Sequence, residues 1–100
     1  MADKAAFRNV QKEHLETLAQ YVPVVARVHG RNHPEFHQVR AVYDRMADKI
    51  AAAGSDTPAL EEEFASLRSI TKDYTVPEDV CESYRAVYQM LRELDSAYHA

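Results

Sequence analysis

The spacing of apolar residues along this 100-residue chain predicts four amphipathic helices. Within each segment the apolar residues recur at steps of three and four, which places them on one face of an α-helix. The segments lie at about residues 4–29, 34–53, 58–72 and 77–98. Short connections favour antiparallel neighbours, so the pattern predicts an all-α, up-down-up-down four-helix bundle in a single domain over residues 1–100.

Proline and glycine mark the predicted helix boundaries. Pro34, Pro58 and Pro77 stand where the first turn of a helix tolerates a residue without a backbone donor. Gly30 follows the first segment, at a position where helices often end in glycine. Pro23 lies inside the first segment and removes a backbone donor there, so we expect it to kink or split that helix.

Composition and charge narrow the functional classes. The formal net charge is -4 and no basic stripe is present, which argues against nucleic acid and anionic membranes as partners. No apolar run approaches the roughly 18 residues of a membrane span. The first residues are polar and do not form a signal peptide, and the one cysteine cannot form an internal disulfide. We therefore expect a cytoplasmic protein.

Three of the five histidines form the candidate metal site. His29, His33 and His37 are spaced four residues apart, a spacing that on a continuous helix lets imidazole nitrogens hold a divalent ion. Gly30 and Pro34 interrupt this ladder. The three residues are the candidate metal ligands, and no catalytic residue is assigned.

The carboxylates do not accompany these histidines. Di-iron bundles place glutamate and histidine in the interior three or four residues apart. No histidine of this chain has a glutamate one helical turn away, and only Asp95 and His99 combine an acid with a histidine at this spacing. His14 and His29 are about 22 Å apart on a straight helix and cannot share one metal.

Cys81 is the one candidate for thiol chemistry. It lies near the start of the fourth predicted helix, where a helix N-terminus favours the thiolate. Glu78, Asp79 and Glu82 surround it in the sequence and oppose that effect. The pattern therefore favours a buried, unreactive cysteine.

Two segments, VHGRNHPEF and SITKDYTVPEDVCESYRAVYQMLREL, resemble the hemerythrin-like domain of the iron–sulfur cluster repair proteins, the RIC (repair of iron centres) family. The resemblance runs through most of the chain and is strongest in the VHG-x-x-HPE turn and the T-x-x-YT-x-PED-x-C-x-x-Y-R-A-x-Y block. It implies a hemerythrin-like bundle in the cytoplasm, a di-iron centre of histidines and bridging glutamates, and a role in restoring iron–sulfur clusters after oxidative or nitrosative damage.

Carried over residue by residue, the resemblance retains one ligand of the di-iron centre, His29. The other ligand positions fall near Arg8, within residues 47–54, near Thr57 and just after Ala100. None of them supplies the family's histidine or histidine–glutamate pair. His99 corresponds to a family histidine that is not a ligand, and the family's cysteine-containing N-terminal segment has no counterpart in this sequence.

These observations favour a non-catalytic relative of the repair proteins that holds no cofactor. It would be a small interaction or regulatory module in iron or redox-stress physiology, with a protein partner or a homodimer, because loss of buried charge leaves an apolar core and a spare apolar strip. One alternative is a protein that binds iron or another divalent metal at His29, His33 and His37, completed across a dimer and acting in cluster repair. Another is a heme or small-molecule binder that uses His29.

Overall fold

A computed structural model describes residues 4–100, which form four α-helices. They are α1 (Lys4–His29), α2 (Glu35–Ala53), α3 (Glu61–Thr71) and α4 (Glu82–Tyr98). No strand occurs between residues 4 and 100. The helices pack into a body of 38 × 21 × 21 Å, and the predicted all-α four-helix bundle is confirmed.

Contacts of α1 show that its two neighbours run antiparallel to it. Near the start of α1, Arg8 donates a hydrogen bond to the carbonyl of Ser55, just after the end of α2, at 2.6 Å. Further along α1, the Nε2 atom of His14 lies 3.0 Å from a carboxylate oxygen of Glu93, in the second half of α4. Early residues of α1 therefore meet late residues of both α2 and α4.

Helix α3 is antiparallel to its own two neighbours. Lys49, near the end of α2, forms a 3.0 Å ion pair with Glu63, near the start of α3. The N–H of Leu60, just before the start of α3, donates to the hydroxyl of Tyr98, the last residue of α4, at 3.0 Å. Each helix thus reverses direction relative to the one before it, and α4 closes the bundle against α1.

The core runs the length of the bundle between the four helices. Its members are apolar or aromatic, and the largest fully buried side chains come from every helix and from the residue before α3: Leu18, Val22, Val25, Phe36, Met46, Leu60, Phe64, Leu67, Tyr84, Tyr88, Leu91 and Leu94. Burial of this apolar surface is the main force that holds the helices together. Among residues 4–100, no helix has the length and apolar character needed to cross a bilayer.

Helix α1 continues through Pro23 for 26 residues, so of the two expected effects of this proline the split does not occur. Proline removes one backbone hydrogen bond, a loss that packing on both sides of the position offsets. Leu18 and Val22 before the proline and Val25 after it are almost fully buried. These contacts hold both halves of α1 against the same core.

Helix α3 begins at Glu61, three residues later than the sequence pattern indicates. The buried hydroxyl of Tyr98 accounts for the delay, because it bonds the backbone of the preceding segment. It donates to the carbonyl of Pro58 at 2.9 Å and accepts from the N–H of Leu60 at 3.0 Å. These bonds hold the segment outside the helix.

Helix α4 begins at Glu82, five residues after the predicted start at Pro77. Cys81 precedes it with an extended backbone, at φ -78° and ψ 173°. The carboxylate of Asp79 reaches across to His33, in the connection between α1 and α2, at 2.9 Å. The chain before α4 is therefore shaped by a contact with another connection.

The connection after α3 contains three successive residues with positive φ. The φ angles are 53° at Lys72, 59° at Asp73 and 61° at Tyr74, in a backbone region that residues other than glycine rarely adopt. Several hydrogen bonds hold the segment in place, and two of them come from Tyr74. The backbone N–H of Tyr74 donates to the hydroxyl of Thr71 at 2.7 Å, and the Tyr74 hydroxyl donates to Asp95 at 2.6 Å.

Candidate functional site

The connection between α1 and α2 meets the segment before α4 at one end of the bundle. The antiparallel packing brings together the last residue of α1, the first residue of α2 and the first turn of α4. Six side chains form this group, which we call the histidine cluster: His29, His33, Glu35, Asp79, Cys81 and Tyr84.

His29 and Cys81 form a direct pair within the histidine cluster. The Nε2 atom of His29 lies 3.1 Å from the Sγ atom of Cys81. Cys81 is exposed, so the prediction of a buried cysteine is wrong. It stands at the cap position of α4, where the extended backbone turns its side chain toward α1 rather than into the core. An imidazole at this distance can take up the thiol proton, which generates the nucleophilic thiolate.

His33 joins the two connections through both of its ring nitrogens. Nδ1 lies 3.1 Å from a carboxylate oxygen of Glu35, and Nε2 lies 2.9 Å from a carboxylate oxygen of Asp79. Each ring nitrogen therefore faces a carboxylate, one from α2 and one from the segment before α4. Such a ring must release one carboxylate before it can bind a metal.

Tyr84 forms the floor of the histidine cluster. Its ring meets the ring of His29 edge to face at 5.4 Å and that of His33 at 5.5 Å. Its hydroxyl shares a 3.0 Å hydrogen bond with Tyr88 and lies 3.4 Å from Glu35. Burial, followed by the hydrogen bond to Tyr88, raises the pKa of Tyr84, and burial also raises the pKa of Tyr88. Both phenols therefore stay neutral beneath the histidines.

His37 lies against the end of α1 and is exposed. A Cβ atom built on Gly30 would stand 2.3 Å from the Nε2 atom of His37. The ring can therefore lie this close to the end of α1 only because residue 30 has no side chain. The three histidines of the predicted ladder thus lie in three different environments. Between residues 4 and 100, no group of three or more His, Cys, Asp or Glu side chains is placed to hold a metal ion.

The interior of the described bundle does not provide the donor set of a di-iron centre, which needs several carboxylates and histidines facing one point. Its buried acids are Glu63 and Asp95. Glu63 pairs with Lys49 at 3.0 Å. Asp95 accepts hydrogen bonds from Arg68 at 2.8 Å and from Tyr74 at 2.6 Å. Contacts between helices and connections therefore occupy both carboxylates.

The two remaining histidines lie away from the histidine cluster. His14 pairs with Glu93 across the α1–α4 interface. His99 lies 2.8 Å from Asp95 one helical turn earlier, so the histidine–acid pair indicated by the spacing is present. The carboxylate of Asp95 also accepts hydrogen bonds from Arg68 and Tyr74, so this histidine–acid pair belongs to a network that holds α3, α4 and the connection after α3 together.

Sequence reasoning missed the partners of His33. Asp79 is separated from it by 46 residues, and Glu35 by two, so neither has the spacing of a helical histidine–acid pair. The one available signal is that the HPE and PED turns both belong to the segments that carry the family resemblance. The structure brings these two turns into contact.

Comparison with known proteins supports a distant relationship to iron–sulfur cluster repair proteins. The iron-sulfur cluster repair protein ScdA of Staphylococcus haemolyticus (strain JCSC1435) is 23% identical over 127 residues, which cover 96% of this chain and 57% of that protein. ScdA of Staphylococcus epidermidis is 24% identical with the same coverage. No family model matches the chain, and no solved structure matches it.

The chain is shorter than the region it matches. It spans 57% of the length of these curated relatives. The similarity extends over 127 residues but takes in 96% of a chain of 100 residues. The matched stretch of the relatives therefore contains residues with no counterpart in this chain.

Proposed function

We propose that this chain is a non-catalytic relative of the iron–sulfur cluster repair proteins, a small helical module that acts by binding another protein in iron or redox-stress physiology. The observation that carries the proposal is the environment of His29, the retained ligand position of the resemblance. Its Nε2 atom faces the Cys81 thiol at the rim, and the buried ring of Tyr84 occupies the space on its inner side. This environment supports the proposal, because the neighbours of His29 are a thiol and a phenol ring rather than the glutamates of a di-iron centre.

The pairing of the buried acids also supports a structural role for the bundle. A buried carboxylate without a partner is strongly unfavourable, and here Glu63 and Asp95 are each held by a cation. This pairing supports the proposal, because cations of the chain itself neutralise the two buried acids. A bundle of this kind can act through its surface.

The end of α1 offers a surface for a protein partner. Val24 and Val28, one helical turn apart, are 43% and 60% exposed. They lie within the last two turns of α1, and Val28 directly precedes His29 in the sequence. We infer that a partner covering these valines extends to the neighbouring His29 and the thiol that it contacts, which would couple binding to the state of Cys81.

Metal analysis tests this proposal. The protein is purified without a histidine tag, offered ferrous iron under reducing conditions and desalted. We expect iron well below one equivalent and a melting temperature that a chelator does not change, because metal that binds the folded state raises its stability. Iron at one or two equivalents that disappears in His29→Ala but remains in His14→Ala would contradict the proposal.

A second candidate function is binding of iron or another divalent metal by His29, His33 and His37, completed across a dimer. It is supported by the 3.1 Å distance between His29 and the thiol of Cys81, a nitrogen and sulfur pair suited to a soft divalent ion that displaces the thiol proton. Cobalt(II) titration tests it. A sulfur-to-cobalt absorption band lost in both Cys81→Ser and His29→Ala, with dimers in sedimentation, would support it, and no band with monomers would exclude it.

A further inference from the structure

A cavity of about 230 Å³ opens at the end of the bundle opposite the histidine cluster. It lies between the early turns of α1, the end of α2 and the connection that leads to α3. Its floor is apolar, since Phe7, Ile50 and Pro58 line it and are buried. Its volume is below the roughly 300 to 1,000 Å³ of sites for drug-sized ligands, so it suits a small molecule.

The α1 side of the cavity is positively charged. Arg8 and Lys12 line it one helical turn apart. The guanidinium of Arg8 is held in place because it donates to the Ser55 carbonyl at 2.6 Å. Among residues 4–100, Lys12 has no ion-pair partner. This side therefore presents donors and positive charge above the apolar floor.

A negative charge from the connection that leads to α3 also borders the cavity. Asp56 lines it and is exposed. Gly54 and Ser55, which follow the end of α2, line the cavity beside it. The cavity is thus bordered by two cations from α1, one carboxylate from the connection and an apolar floor.

We propose that this cavity binds a small amphipathic zwitterion, with the chemistry of an α-amino acid that has an apolar side chain. The ligand's carboxylate faces Arg8 and Lys12, its ammonium group faces Asp56, and its side chain covers Phe7 and Ile50. A ligand with only one of the two charges leaves the lining group of the same sign without a counterion, which gives selectivity. This site is independent of the function proposed above for the other end of the bundle.

Titration of the full, isotope-labelled chain with L-leucine, followed by amide resonances, tests the proposal. We expect saturable shifts for Phe7, Gly54 and Thr57, and no shifts in the histidine cluster. Glycine, isocaproate and isoamylamine, which lack the side chain, the ammonium group and the carboxylate respectively, are each expected to bind about tenfold more weakly, the loss typical of one missing charged or apolar contact.

Two variants and a control complete the experiment. Lys12→Gln and Asp56→Asn change exposed side chains, so both proteins should fold, and each is expected to weaken leucine binding about tenfold. Arg40→Gln removes an exposed cation near the opposite end of α2 and should bind leucine like the unchanged protein. The proposal is overturned if leucine gives no saturable shifts, if isocaproate binds as tightly as leucine, or if Lys12→Gln and Asp56→Asn bind like the control.

Discussion

The imidazole of His29 lies 3.1 Å from the thiol of Cys81, although 52 residues separate them in the chain. The antiparallel packing of α1 and α4 creates this pair, because the last residue of one helix faces the cap of the other. The thiol is exposed and the imidazole is half-buried, so solutes reach the sulfur while the base stays fixed. The pair therefore combines an accessible thiol with a base that can accept its proton.

Replacing His29 should slow reactions of the Cys81 thiol. Without the imidazole, no base lies 3.1 Å from the sulfur to accept the thiol proton when the sulfur attacks the reagent. For His29→Ala we expect a second-order rate constant with a disulfide reagent about three- to tenfold lower. Stopped-flow absorbance measures the rate, with His14→Ala as the matched control. Equal rates in all three proteins would show that the imidazole does not act on the thiol.

The contacts of His33 should couple the two connections energetically. Its ring bonds Glu35 and Asp79, but the Asp79 side chain is 68% exposed, so solvent weakens the interaction. In a double-mutant cycle of His33→Gln and Asp79→Asn, we expect a coupling free energy of roughly 0.5 to 1 kcal/mol. Urea denaturation of the four proteins measures it. Additive effects would mean that the observed contact contributes nothing to stability.

The close approach of His37 to Gly30 predicts a clash when glycine is replaced. A Cβ atom at this position would stand 2.3 Å from both the Ala26 carbonyl and the His37 ring. We expect Gly30→Ala to destabilise the protein by about 1 to 3 kcal/mol, as for overpacked sites. In a His37→Ala background the loss should be smaller, because the ring contact is gone. A loss of the same size in both backgrounds would assign the clash to the backbone alone.

Substitution of Lys72 tests the strain in the connection after α3. This residue ends α3 with φ 53°, a conformation that glycine adopts readily. We expect Lys72→Gly to be about 1 kcal/mol more stable than Lys72→Ala, because both lose the same exposed side chain and only glycine relieves the strain. Thermal and urea unfolding measure the difference. If the alanine variant equals the glycine variant, the segment is not strained at this residue.

The ends of the helices were predictable from the sequence where residues close by in the chain determine them. The bounds of α1 and the end of α2 agree with the sequence pattern, because apolar spacing persists to glycines that stop each helix. The start of α3 was not predictable, because it depends on the hydroxyl of Tyr98, about 40 residues away. A residue pattern carries no information on a bond of that kind.

In the candidate site, too, single residues were predictable from the sequence, and the contacts between distant residues were not. The sequence singled out His29 and Cys81 separately, and only the packing of α1 against α4 pairs them. It also marked His33 as a metal ligand, whereas the structure occupies both ring nitrogens with carboxylates from two connections. The metal assignment to these histidines stays a prediction that the cobalt titration tests.

Alkaline pH should destabilise the protein through its buried tyrosines. Burial and the hydrogen bond to Asp95 raise the pKa of Tyr74 above its ordinary 10.0, and burial and the bond to Tyr88 raise that of Tyr84. The unfolded chain therefore releases these protons first, so stability holds below pH 10 and falls above it by up to about 1.4 kcal/mol per pH unit and group. Urea denaturation at several pH values measures this slope, which should be smaller in Tyr74→Phe and in Tyr84→Phe. A slope unchanged in both variants would contradict the assignment.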